Sequence, residues 1–170
     1  CGGDVLGLCT EVAIALGGAA VEAGAWTIGS GGGIARQGDQ GTYERLIQPR
    51  EKRLVGALQE AGARVKLHIG GNTSHLLDGI AELGVDILDV DHMVDISTVR
   101  QKVGPGVVIG GNIDPAQGVC RGTPESIIQT MLHTYKLAGN PFMVNAGCEI
   151  PPGTPPENLR ALCEPIEYIP

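Results

Sequence analysis

Seven side chains able to do chemistry stand where short apolar runs end: His68, Asp89, Asp91, Asn112, Asp114, Asn145 and Cys148. His68 lies in LHIGGNTSHL and Cys148 in NAGCEIPPG. An imidazole and a thiol that meet can share a soft cation or exchange a proton, so this pair is the candidate metal site, although a buried thiol needs no such role. Asp89 and Asp91 alternate with Val90, which sends both carboxylates to one side of a strand end. Two neighbouring carboxylates can divide into acid and base or hold a cation, and the same groups also serve as caps and loop acceptors. Asp89 and Asp114 are the candidate catalytic acids. Asn72, Asn112, Asp91 and Asn145 are suited to orienting a substrate through donors and acceptors of fixed geometry. GGNIDP, residues 110–115, has the small residues of an anion cradle but neither a lysine nor a GxGxxG pattern, which disfavours nucleotide binding. His92 borders this set, whereas His75 and His133 fall on solvent-facing helix positions.

Such residues act together only if the chain gathers them, and its punctuation does so. Five times a glycine closes a helical pattern and a short apolar strand follows: at Gly24, Gly62, Gly84, Gly104 and Gly139. Strands are expected at Trp26–Ile28, Val65–Ile69, Val85–Val90, Val107–Gly110 and Phe142–Val144. Alternation with helices makes them parallel, in an α/β architecture of the (β/α)8 TIM-barrel type, where reactive residues collect at the carboxyl ends of strands. Gly29–Gly41 reads as a glycine-rich loop, and a long helix from Thr42 contains Pro49, which kinks it or marks a join. Thr123-Pro124-Glu125 opens a helix whose inward set is Ile127, Ile128, Met131, Leu132 and Tyr135. Thr154-Pro155-Pro156-Glu157 has the spacing of a capping box before a terminal helix containing Leu159 and Leu162.

The chain has 170 residues, 42% of them hydrophobic, with 27 glycines and 11 prolines. That suffices for one core, yet a full barrel takes roughly 250 residues. Residues 1–170 are therefore expected to be the C-terminal part of one barrel domain. About three strand–helix units would precede Cys1, and they or another subunit would cover the open sheet. A net charge of −7 and a pI near 5.0, without a basic stripe, argue against nucleic acid or an anionic membrane as partner. No apolar run is expected to reach the ~20 residues of a bilayer span, so a cytoplasmic location is expected. Five cysteines without framework spacing argue against a disulfide scaffold; Cys1, Cys9, Cys120 and Cys163 read as packing or surface residues.

LHIGGNT, LGVDILDVDHMVD, IGGNIDP and NAGCEIPPGTPPENLRAL together resemble the uroporphyrinogen decarboxylase superfamily over nearly the whole chain. Within it, Cys148 in NAGCEIPPGTPPEN looks like the branch of zinc-dependent, corrinoid-linked methyltransferases, the methylcobalamin:coenzyme M type; a decarboxylase would more often carry histidine there. The resemblance implies a (β/α)8 barrel, a small-molecule substrate, zinc, and a corrinoid carried by a partner protein. It also implies a His-x-Cys pair plus a later cysteine as zinc ligands. Here the pair reads His68-Ile69-Gly70, so His68 and Cys148 are two ligands where a catalytic site wants three and an open position, with Glu149 or the rest of the barrel as sources of another.

With zinc, a coordinated substrate thiol would lose its proton and attack a corrinoid-bound methyl group, or, in the other direction, a methyl-donor ether or amine would give up its methyl group with the metal or an acid activating the leaving group. Two other readings stand beside this one. The first is decarboxylation of a tetrapyrrole by the uroporphyrinogen decarboxylase reaction, with arginines supplied from upstream. The second is a catalytically silent barrel fragment that binds a partner, for which Gly70 is the best support.

Overall fold

The computed structural model describes residues 2–32 and 38–168. Helix α1 spans Gly2–Glu22 and leads to strand β1, Thr27–Gly31. After the segment outside the described residues, Gln40–Thr42 starts a helical stretch that loosens to a π-helical turn at Tyr43–Ile47 and continues as α2, Gln48–Glu60. Pro49 thus sits in the first turn of α2, where its missing N–H costs nothing, and marks a join. Then follow β2 (Arg64–Ile69), α3 (Leu77–Ala81), β3 (Ile87–Val90), α4 (Ile96–Val103), β4 (Val108–Ile113), α5 (Pro124–Ala138), β5 (Phe142–Ala146) and α6 (Pro156–Leu162).

The five described strands form one parallel sheet in sequential order, β1 to β5. Sequential parallel strands joined by helices are the unit of a (β/α) barrel, here five units with β1 and β5 at the ends of the sheet. The junction glycines make the sharp reversals. Gly104 (φ 74°) and Gly139 (φ 62°) end α4 and α5 in a conformation a side chain would strain, and their amides close on Arg100 and Tyr135 carbonyls; Gly24, Gly62 and Gly84 also have positive φ. The Arg100 guanidinium ties the amino ends of the strands together by donating to the carbonyls of Gly104 (2.7 Å), Val107 (2.8 Å), Pro141 (2.7 Å), Gly139 (3.3 Å) and Ala138.

The core lies between the helices and the outer sheet face, where Val65, Leu67, Ile69, Leu88 and Ile109 pack against Val55, Leu58, Leu76, Leu77, Ile80 and Val99. A second cluster of Ile113, Val119, Ile127, Met131, Ala146 and Ala161 seats α5 and α6. Asn158 pins α6 by donating to the carbonyls of Val119 (2.7 Å) and Gly122 (3.0 Å). Because side chains alternate, β2 turns Arg64, Lys66 and His68 to the opposite, concave face.

Several local expectations are corrected. β1 continues to Gly31, shortening the expected glycine-rich loop, of which residues 33–37 lie outside the described residues, as does Cys1. β4 runs on to Ile113, carrying Asn112 within the sheet. Thr154 donates its hydroxyl to Pro151 O, so no capping box forms and α6 starts from Pro155 without a side-chain cap; Leu159 is exposed while Asn158 and Ala161 are buried. Leu132 lies at the exposed edge of α5. The apolar window Val5–Glu22, 18 residues with mean hydropathy 1.6, is a helix long and apolar enough to cross a membrane, contrary to expectation. It packs on α2, where Gly17 meets Leu58 and Glu11 pairs with Arg53 at 2.5 Å, and leaves Val5, Leu8, Val12 and Leu16 exposed.

Candidate functional site

Parallel register sets the site. Gly31, His68, Asp89, Gly110 and Met143 lie opposite one another across the five strands, and Asn112 pairs with Asn145 two residues nearer the carboxyl ends. His68 Nδ1 lies 3.2 Å from the Asp89 carbonyl oxygen and 3.6 Å from Asp89 Oδ2. Donation from Nδ1 to that carbonyl leaves Nε2 as the proton-accepting nitrogen, turned toward the strand ends.

Past the end of β2, Gly70 leaves a gap that no side chain of the described residues fills. A Cβ placed there would stand 3.7 Å from Cys148 Sγ, 3.7 Å from His68 Nε2 and 3.8 Å from Asp91 Oδ2. Groups from the ends of β2, β3 and β5 therefore surround one point, and the His68–Cys148 pair, far apart in sequence, is brought together. The loop carrying Cys148 is held in place through Gly147. Its amide donates to Ile113 O at 2.8 Å, and it lies so close to the turn after β3 that a Cβ would be 2.5 Å from the His92 amide nitrogen. Cys148 itself is exposed and forms no disulfide.

The two aspartates of β3 have different surroundings. Asp89, 5% exposed, accepts from Lys66 Nζ at 2.8 Å and Asn145 Nδ2 at 2.9 Å on Oδ2, while its buried Oδ1 has no partner among the described residues. Asp91, also buried, is consumed in local structure: Oδ2 accepts from Gly71 N (2.8 Å), and Oδ1 accepts from Met93 N (3.1 Å) and lies 2.8 Å from His92 Nδ1. The His92 ring bridges outward to Asp114, with Nε2 3.5 Å from Oδ2. Asp114 Oδ1 accepts from the amides of Ala116 (2.8 Å) and Gln117 (2.9 Å). Burial raises the Asp114 carboxyl, but those amides, with the charges of His92 and Arg121, outweigh it and hold the group below the usual carboxylate range.

The candidate substrate-orienting amides divide in the same way. Asn145 serves Asp89, and Asn112 donates to Val94 O (2.7 Å) and Asp91 O (3.4 Å), bracing the turn after β3. Asn72 is exposed and its Oδ1 accepts from Ser74 N at 3.1 Å. Lys66 escaped sequence reasoning, although the alternation of RVKLHI puts it two residues before His68 on the same face.

The residues present do not make a three-ligand zinc site. His68 and Cys148 supply two donors, the third position is Gly70, and Asp91 is tied into the loop by its own hydrogen bonds. Among the described residues no group of three or more His, Cys, Asp and Glu side chains could hold a metal ion, so the exposed Glu149 does not complete one.

A parallel strand–helix series with a histidine and a cysteine meeting over its carboxyl ends defines an enzyme-type (β/α)-barrel mouth. The uroporphyrinogen decarboxylase (URO-D) family profile matches residues 3–168, and the chain belongs to that family. Over 122 residues it is 33% identical to the methylcobamide:CoM methyltransferase MtbA of Methanosarcina acetivorans, a match covering 72% of this chain and 35% of that protein. Over 125 residues it is 34% identical to the uroporphyrinogen decarboxylase of Prochlorococcus marinus strain MIT 9211, again 72% of this chain and 35% of the relative. The chain thus spans about a third of the length of these relatives. A solved structure, a methyltransferase from Methanosarcina mazei, superposes with a TM-score of 0.82 at 24% identity, covering 91% of this chain and 45% of that one, which shows the fold.

Proposed function

We propose that residues 1–170 are the C-terminal part of a barrel that transfers a methyl group from a corrinoid carried by a partner protein to a small thiol. Overall identity does not separate this from decarboxylation, since relatives of both kinds match equally well. The observation that carries the choice is the meeting of Cys148 Sγ and His68 Nε2 at the gap over Gly70, a soft, sulfur-lined recess with a base beside it. The resemblance favours this choice too, since decarboxylases would more often carry histidine at the position of Cys148.

In this reading the substrate's sulfur enters the gap over Gly70, with Cys148 and Asp91 as its walls. His68 Nε2 removes the thiol proton, and Asp89 supports the imidazole through its carbonyl oxygen and adjacent carboxylate. Lys66 and Asn145 hold that carboxylate still. The thiolate attacks the methyl carbon; the C–S bond forms as the bond from carbon to the corrinoid breaks, and that electron pair stays with the corrinoid. The exposed apolar face of α1 supports this reading, as a surface that the first part of the barrel would cover. The exposed free thiols of Cys9, Cys148 and Cys163 suit a reducing, cytoplasmic setting.

The test is methyl transfer from methylcobalamin to 2-mercaptoethanesulfonate, followed through the corrinoid's visible spectrum. His68→Gln should slow it about 100-fold or more by removing the base, with folding retained. Release of CO2 from uroporphyrinogen III without thiol methylation would replace this reading with the decarboxylase one.

A further inference from the structure

We infer that residues 2–32 and 38–168 supply no complete catalytic zinc site of their own, and that Gly70→Cys would complete one. Two observations carry this. Among the described residues the donors at the gap stop at two, an imidazole nitrogen and a sulfur, whereas a zinc that keeps an open position for substrate needs three. The nearest carboxylate cannot stand in, because withdrawing Asp91 Oδ2 from the Gly71 amide would release the turn between β2 and α3, and its other oxygen already serves Met93 and His92.

The missing donor is nevertheless the one thing the geometry lacks. A Cβ on residue 70 would be in ordinary contact with Cys148 Sγ and His68 Nε2, both 3.7 Å away, so a sulfur one bond further on reaches the space between them without displacing backbone. Gly70 has no positive φ that a side chain would strain. His68 also keeps the partner a metal-bound histidine wants, since Nδ1 is directed at the Asp89 carbonyl while Nε2 has no hydrogen-bond partner among the described residues. The inference concerns ligands only and does not depend on which reaction the barrel performs.

The experiment compares the purified protein with its Gly70→Cys variant after dialysis against a chelator. Zinc and cobalt(II) are then titrated in competition with a chromophoric chelator, with circular dichroism as the check on folding. The native protein is expected to take up less than a tenth of an equivalent of zinc. Gly70→Cys should take up one equivalent and give a cobalt(II) spectrum with strong sulfur-to-metal charge-transfer absorption, lost when Cys148→Ala is added. A second measurement needs no variant. Zinc should leave alkylation of Cys148 by iodoacetamide unchanged in the native protein, with the exposed Cys9 and Cys163 as internal references. One tightly held equivalent in the native protein, or protection of Cys148 by zinc, would overturn the inference. So would a folded Gly70→Cys variant that gains no metal, since the donors would then not converge.

Discussion

Gly147→Ala tests whether the loop bearing Cys148 is seated on the turn after β3. An alanine Cβ would stand 2.5 Å from the His92 amide nitrogen, 3.1 Å from the Asp91 carbonyl carbon and 3.3 Å from Asp91 Cα. All three are backbone atoms, so no rotamer change relieves the overlap. Ordinary contact begins near 3.4 Å, so the loop must retreat by about 0.9 Å. Retreat lengthens the 2.8 Å bond from Gly147 N to Ile113 O and carries Cys148 away from His68 by a similar distance. Overpacking of this kind costs about 1–3 kcal/mol, which lowers the melting temperature by several degrees in a domain of this size. Cys148 is a wall of the substrate gap, so its displacement by about 1 Å misplaces the bound sulfur against His68 and costs roughly 100-fold in rate. Thermal unfolding and thiol methylation are measured together, with Gly106→Ala, whose Cβ meets nothing within 4 Å, as the control. A Gly147→Ala protein with native melting temperature and native rate would refute the seating of this loop, and with it the placement of Cys148.

Gly70→Ala should behave in the opposite way: its Cβ finds only ordinary contacts at 3.7–3.8 Å, so stability stays within about 0.5 kcal/mol, while thiol methylation falls at least tenfold because the methyl group fills the substrate's place. Arg100→Lys should destabilise by about 2–4 kcal/mol in urea unfolding, because one ammonium cannot replace a fork that serves five carbonyls. Burial holds the Glu51 carboxyl above its ordinary range, outweighing the Tyr43 hydroxyl that donates to it at 2.7 Å. Its folded pKa thus exceeds its unfolded one, and the folded state binds the proton more tightly. The stability this contributes is present below the unfolded pKa and lost as pH rises through the folded one. Glu51→Gln should therefore melt higher than the native protein at neutral pH and show a smaller fall in melting temperature as pH rises from 4.

The glycines and their strands were legible because each reports a purely local requirement. A helix that must reverse within one residue selects glycine, as at Gly104 and Gly139, and the apolar run that follows has nowhere to go but the sheet. The meeting of His68 with Cys148 was legible only through topology, since a parallel sheet in sequential order puts all carboxyl ends on one side. The capping of α6 was not legible, because Thr154 has the right spacing but a better acceptor in Pro151 O. The division of labour between the aspartates was hidden for a similar reason. Asp89 and Asp91 are equivalent in sequence pattern, and only the folded turn shows that one meets Lys66 and Asn145 while the other closes loops through Gly71 and Met93.

Lys66 shows what the concave face requires. The interior of a (β/α) barrel is ordinarily filled by layers of branched apolar side chains. Here β2 offers Arg64, Lys66 and His68 to it, opposite Thr27, Gly29 and Gly31 of β1, and β4 adds Gly110. Charged side chains beside glycines cannot form a dry packed layer, because an unpaired charge in such a layer would cost several kcal/mol. The Lys66 ammonium is stabilised there by the Asp89 carboxylate at 2.8 Å, and that carboxylate in turn by Asn145 from β5. One salt-bridged chain of side chains thus links β2, β3 and β5 directly beneath the gap over Gly70. The polar interior places the base His68 in one position, and the absence of a side chain at residue 70 leaves that position open to a ligand.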